Sequence, residues 1–145
     1  MNAPLYNAEI LRLAASIAHE ERLADPQGSS ERRSPVCGSR VTVDLDLGPD
    51  RRVSRVGLLV RACALGQASS ALLASAIKGR TPEELAVARD ELVAWLAGGD
   101  VAPAWPGLAV FEPARAYSAR HPSIRLAFEA AAEAAELASA KAHAG

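Results

Sequence analysis

The residues best suited to chemistry in this chain are its two cysteines, Cys37 and Cys63. Cys37 lies in Ser34-Pro35-Val36-Cys37-Gly38-Ser39-Arg40, where a proline stiffens the approach and an alternating pattern follows. A thiol used only as core filler needs no such setting. The segment therefore reads either as a held ligand or nucleophile, or as a plain turn. Cys63 closes the extended run Gly57-Leu58-Leu59-Val60-Arg61-Ala62-Cys63, just before a helix beginning near Gly66. A thiol there faces unpaired backbone N–H groups and the positive end of the helix dipole, which favours the thiolate. An ordinary cysteine is only a few per cent thiolate at pH 7, so this placement matters for metal binding and nucleophilic attack. The competing reading of Cys63 is a small buried hydrophobe at a strand–helix junction.

Other candidates are weaker. His121 stands two residues before Ser123 and offers an imidazole to iron or zinc if its loop bends inward, although a lone loop histidine is usually solvated. His19 and His143 have less to recommend them, and no nucleophile elbow or phosphate-cradling glycine motif is present. Arg32, Arg33, Arg40, Arg51, Arg52, Arg55 and Arg61 make one region locally basic, interrupted by Glu31, Asp44, Asp46 and Asp50. That pattern reads as a solvated face, with a docking surface for an acidic partner as the alternative. Glu129, Glu133 and Glu136 fall at helical spacing and read as solvation rather than a metal site.

The elements that must position these residues follow from periodicity. Ile10, Leu13, Ala14 and Ile17 recur at helical spacing, so residues 5–22 read as a helix, followed by a Pro/Gly/Ser-rich loop through Ser34. Residues 41–47 alternate Val, Val, Leu, Leu against Thr42, Asp44 and Asp46, the mark of a half-buried strand with a wet face. After a turn at Gly48-Pro49-Asp50 a second extended run slips phase, since Val53 is out of step with Val56, Leu58 and Val60. A bulge or break near Ser54–Val56 accounts for the slip. Helices are expected at roughly 66–78, 82–97 and 124–141, the second opened by a Thr81–Glu84 capping box with Pro82 at its first position. Ser123 is the expected N-cap of the last. The whole is an α+β pattern.

At 145 residues the chain fits one domain, 1–145. Half its residues are apolar and its net charge is −1, which gives no reason to expect a nucleic acid or an anionic membrane as partner. No apolar run approaches the roughly 20 residues of a membrane span, and the start carries no secretory pattern. A cytoplasmic setting follows, in which two cysteines are thiols or ligands rather than a disulfide.

Taken in order, LYNAEIL, SPVCGS, the hairpin, ACALGQASSALLASAIKGRT and SARHPSIRLAFEAA resemble the U-type iron–sulfur cluster assembly scaffolds, NifU/IscU-like and including the SufU branch. The resemblance implies a small three-stranded antiparallel sheet with helices on one face and the cysteine-bearing loops at one end. It implies a non-enzymatic scaffold that takes sulfur from a cysteine desulfurase and passes a cluster to acceptor apo-proteins. Cys37 and Cys63 match the family's first two cysteines, and would serve as persulfide acceptors and iron ligands. Ser39 stands at the family's aspartate and Ser123 at its third cysteine; Leu13 and Ser16-Ile17-Ala18 replace its usual His and Asn-Pro-Arg. Closed zinc and 2Fe–2S sites want four ligands, and two thiolates are half a site. The resemblance therefore leaves three readings: a scaffold holding a 2Fe–2S cluster, iron or zinc weakly or by pooling two half-sites in a homodimer; a degenerate paralogue that binds proteins in the same pathway; or a carrier of metal or persulfide on two thiols.

Overall fold

A computed structural model describes residues 6–35 and 38–144, the last three of these as backbone. The element order is α1 (Ala8–Ala14), β1 (Gly28–Arg33), β2 (Arg40–Leu47), β3 (Val53–Arg61), α2 (Ala64–Ala76), α3 (Pro82–Leu96), two 3-10 segments (Leu108–Ala116 and Ser118–Arg120) and α4 (His121–Ala144). The strands form one antiparallel sheet in the order β1-β2-β3. Alternation along β2 directs Val41, Val43 and Leu45 to one face, where α4 packs, and all three are fully buried. The phase slip in β3 is a bulge: Asp46 pairs with Arg55 but Leu47 with Val53, leaving Ser54 as the extra residue. That insertion lets Val53 and Val56 both reach the core.

Four expectations change. Residues 24–34 are not wholly loop, because Gly28–Arg33 is a strand. Its core-facing positions are Gly28 and Ser30, too small and polar to register as a hydrophobic alternation. The reason lies in α4: a Cβ on Gly28 would sit 1.9 Å from the carbonyl oxygen of Ala134. An alanine-faced helix lies so close that the strand beneath it must be nearly bare.

The first helix is also shorter than 5–22. Asn7 caps it, its side chain accepting from the Ile10 amide at 2.9 Å, and it ends at Ala14. His19 then takes a positive φ of 61° and the chain leaves the helical course. Residues 19–23 lie as a strap across the sheet face opposite α4. The Leu58 amide donates to His19 O at 2.9 Å, and a Cβ on Gly57 would meet Glu21 O at 2.2 Å. Tertiary pairing with β3 therefore overrides local helical periodicity.

The strap also corrects the wet face of β2. Asp44 is 0% exposed and Thr42 is buried. Asp44 accepts from Arg22 Nε (2.7 Å), the Leu23 amide (3.1 Å) and Ser29 Oγ (2.6 Å). The expected capping box holds, with the Glu84 amide donating to Thr81 Oγ1 at 3.1 Å and the Thr81 amide to Glu84 Oε1 at 3.0 Å. Glu133 is more than a solvated face, since it accepts from Ser30 Oγ and, at 3.0 Å, from Arg32 Nη2, tying α4 to β1. Among the described residues no helix is long and apolar enough to cross a membrane.

Candidate functional site

Cys63 is the N-cap residue of α2, extended at φ −67° and ψ 173°. Its carbonyl accepts the first helical bond, from the Gln67 amide at 2.9 Å, while its side chain makes no capping bond. The half-buried thiol thus stands at the N-terminus of a thirteen-residue helix, as its sequence context implies. Sheet register connects it to the first cysteine's loop. Arg40 pairs with Arg61, so Ser39 and Ala62 are the next residues beyond the last rung, and Cys63 follows.

The β1–β2 connection is held by the Ser34 amide donating to Ser39 O at 2.8 Å and the Gly38 amide to Ser34 O at 3.2 Å. Gly38 takes φ +73°, a left-handed conformation that a glycine adopts without strain. Ser34 and Ser39 are both buried. Cys37 lies outside the described residues; Pro35 and Gly38, which flank the undescribed pair, are at this end of the sheet.

Ser123 arrives from the far end of the sequence. A Cβ on Gly66, one turn into α2, would lie 3.2 Å from Ser123 O and 2.6 Å from the Ala62 side chain. Ser69 Oγ donates to Ile124 O at 2.6 Å, fastening the first turn of α4 to α2. The helix begins at His121, so Ser123 is a buried residue of its first turn and not its N-cap. Cys63, Ser39 and Ser123 therefore share one end of the molecule. His121 is buried too, and its Nε2 faces Ala114 O at 3.2 Å and Arg115 O at 3.0 Å. Nε2 is taken up by these carbonyls, which leaves only Nδ1 as a possible metal donor of this ring. Among the described residues no three His, Cys, Asp or Glu side chains are grouped to hold a metal ion.

No protein-family model matches the chain, and no curated protein matches it significantly. Among solved structures, a nitrogen-fixing NifU-like protein (N-terminal) from Brucella abortus is 38% identical, with 94% of this chain and 96% of that one covered at a TM-score of 0.89. The chain belongs to the NifU-like family of U-type iron–sulfur scaffolds. Within this NifU-like fold, a protein from Fervidobacterium islandicum described as an iron–sulfur cluster assembly scaffold for the SUF system is 18% identical, with a TM-score of 0.82 over 90% of this chain and 96% of that one. A hypothetical protein, also 18% identical, superposes with a TM-score of 0.72 over 89% and 95% of the two chains. Both of the latter share the fold of this chain.

The features that the sequence reading missed are electrostatic. The Asp44–Arg22 anchor of the strap and the alignment of three arginines across the sheet both depend on strand register. The alternation of Asp44 and Asp46 with Val43, Leu45 and Leu47 gave no sign of a covered carboxylate, because it reads as a wet face.

Proposed function

We propose that this NifU-like chain is an iron–sulfur cluster assembly scaffold with two of the family's four ligands. The observation that carries the reading is the gathering of Cys63, Ser39 and Ser123 at one end of the fold, beside the loop that contains Cys37 in sequence. Iron and sulfide are cargo in this scheme. A cysteine desulfurase presents a persulfide, and the thiolate of Cys37 or Cys63 attacks its outer sulfur. One S–S bond forms, one breaks, and the desulfurase thiolate leaves. Two electrons from an external reductant, a thiol or a redox protein, then lower the carried sulfane sulfur to sulfide and free the thiolate. The two cysteines hold iron, zinc or a nascent 2Fe–2S unit until an acceptor apo-protein takes it. The chain carries rather than turns over, and is no enzyme. Neither a nucleic acid nor a membrane enters this cytoplasmic role.

The donor set limits what one chain holds. Serine hydroxyls are hard and neutral, while cluster iron prefers thiolate. Ser39 and Ser123 are buried and already engaged in interactions of their own. His121 would contribute only through Nδ1. This favours either a cluster bridging the paired thiols of two chains or a second reading, a degenerate paralogue that binds the same protein partners without cargo. Anaerobic reconstitution with iron and sulfide, followed by absorption spectra and iron and sulfide analysis, separates the two. A charge-transfer spectrum that disappears in both Cys37→Ala and Cys63→Ala supports the scaffold; bare protein after reconstitution supports the paralogue.

A further inference from the structure

The last rung of the sheet carries the same charge three times: Arg33 pairs with Arg40, and Arg40 with Arg61. Directly opposed like charges in a sheet are unfavourable, so a row of them calls for compensation. Alternation places this row on the face opposite α4, since the neighbouring Val41 is buried beneath the helix. Compensation is incomplete. Glu31 serves two of the guanidiniums, with Oε1 3.3 Å from Arg33 Nε and 3.6 Å from Arg40 Nη1. Arg61 is exposed and has no carboxylate partner among the described residues, whereas Arg32, Arg51, Arg52 and Arg55 are all paired. The three arginines line an open groove of about 610 Å³ together with Ser34, Pro35 and Gly38. Those last three belong to the hairpin that bears Cys37 in sequence.

We propose that this groove docks an extended acidic segment of a partner protein beside the cysteine loop. Charge complementarity selects the acid: three guanidiniums face one carboxylate. The disposition selects a chain over a small anion. Strands lie about 4.8 Å apart, so the three arginine positions are strung over roughly 10 Å instead of converging on a point. Carboxylates on alternate residues of an extended chain recur about every 6.5–7 Å and can follow such a line. Each exposed ion pair contributes little by itself, so several must be linked on one backbone. That the partner is one visiting the cysteines rests on the proposed scaffold function; the preference for acid does not.

The test uses the full chain and a dye-labelled decapeptide of alternating Glu and Ser, with a Gln/Ser peptide as control, followed by fluorescence anisotropy at low and physiological salt. The Glu peptide is expected to bind, weaken with salt, and lose about tenfold in affinity in Arg61→Glu. Arg40→Gln should weaken it in the same direction, and Arg89→Glu, on α3, should leave it unchanged. Equal binding of the Gln peptide, indifference to Arg61→Glu, an equal loss in Arg89→Glu, or displacement by citrate at the same concentration as the unlabelled peptide would each overturn the proposal. Reconstitution of the wild-type protein is scored separately. Peptide binding without a cluster sinks only the scaffold reading, and a cluster without peptide binding sinks only this one.

Discussion

A serine hydroxyl and a cysteine thiolate fill similar space but offer a metal very different bonds. Ser39 and Ser123 are 4% and 3% exposed, so ligands placed there would enter a site that already excludes water. The double variant Ser39→Asp/Ser123→Cys should raise zinc affinity by at least about tenfold over wild type, measured by chelator competition. No gain would mean that these positions do not face the cysteines. Asp44 supports a prediction of another kind. Burial opposes its charge, yet hydrogen bonds from Arg22, Ser29 and the Leu23 amide, with the Arg22 charge, outweigh that and hold its carboxyl below the usual range. A depressed folded-state pKa stabilises the fold above the unfolded value, about 3.9, and that contribution disappears as pH falls through the folded value. Asp44→Asn should therefore cost about 1–3 kcal/mol at pH 7. Urea titrations should show the gap to wild type closing below about pH 4. A gap that does not change with pH would remove charge from the account.

At the scale of elements, α4 sets the dimensions of the sheet. Its buried face is largely alanine, including Ala127, Ala130, Ala131, Ala134 and Ala138, and the contact with β1 admits no side chain at Gly28. Gly28→Ala forces a Cβ against the backbone of Ala134, where no rotamer can relieve it. We expect a loss of about 3 kcal/mol, the upper end of overpacking costs, read from the urea midpoint. Because α4 also carries Ser123, the same variant should lower whatever metal or cluster binding the protein has. Unchanged stability would mean that helix and strand are farther apart than the structure has them.

For the whole molecule the question is how many chains complete one site. Two thiolates per chain make four in a pair, the number that a closed 2Fe–2S or zinc centre requires. Reconstituted protein should contain one cluster per two chains, and should elute as a dimer that reverts to monomer on chelation. Size exclusion with light scattering and iron analysis reads both quantities. One stable cluster per monomer would contradict pooling, and His121, through Nδ1, would be the first candidate to complete the shell.

Much of this protein is legible in its residues. The Thr81–Glu84 box, the apolar alternation of 41–47 and the slip at Val53 are local signals, carried by bonds and side-chain directions within a few residues, and each appears in the structure where the sequence puts it. The order of SPVCGS, ACALGQASS and the final helix likewise pointed to the family that the 38%-identical structure shows. What the tertiary structure decided depends on partners distant along the chain. Gly28–Arg33 is a strand because β2 pairs with it and α4 presses on it, although nothing in Gly-Ser-Ser-Glu-Arg-Arg demands extension. Residues 19–23 leave the helix because the free edge of β3 supplies the Leu58 amide and buried Asp44 binds Arg22 and Leu23. Arg33, Arg40 and Arg61 become one row only through register. Periodicity records which face of an element is apolar; it holds no record of what another element will bring to the polar face.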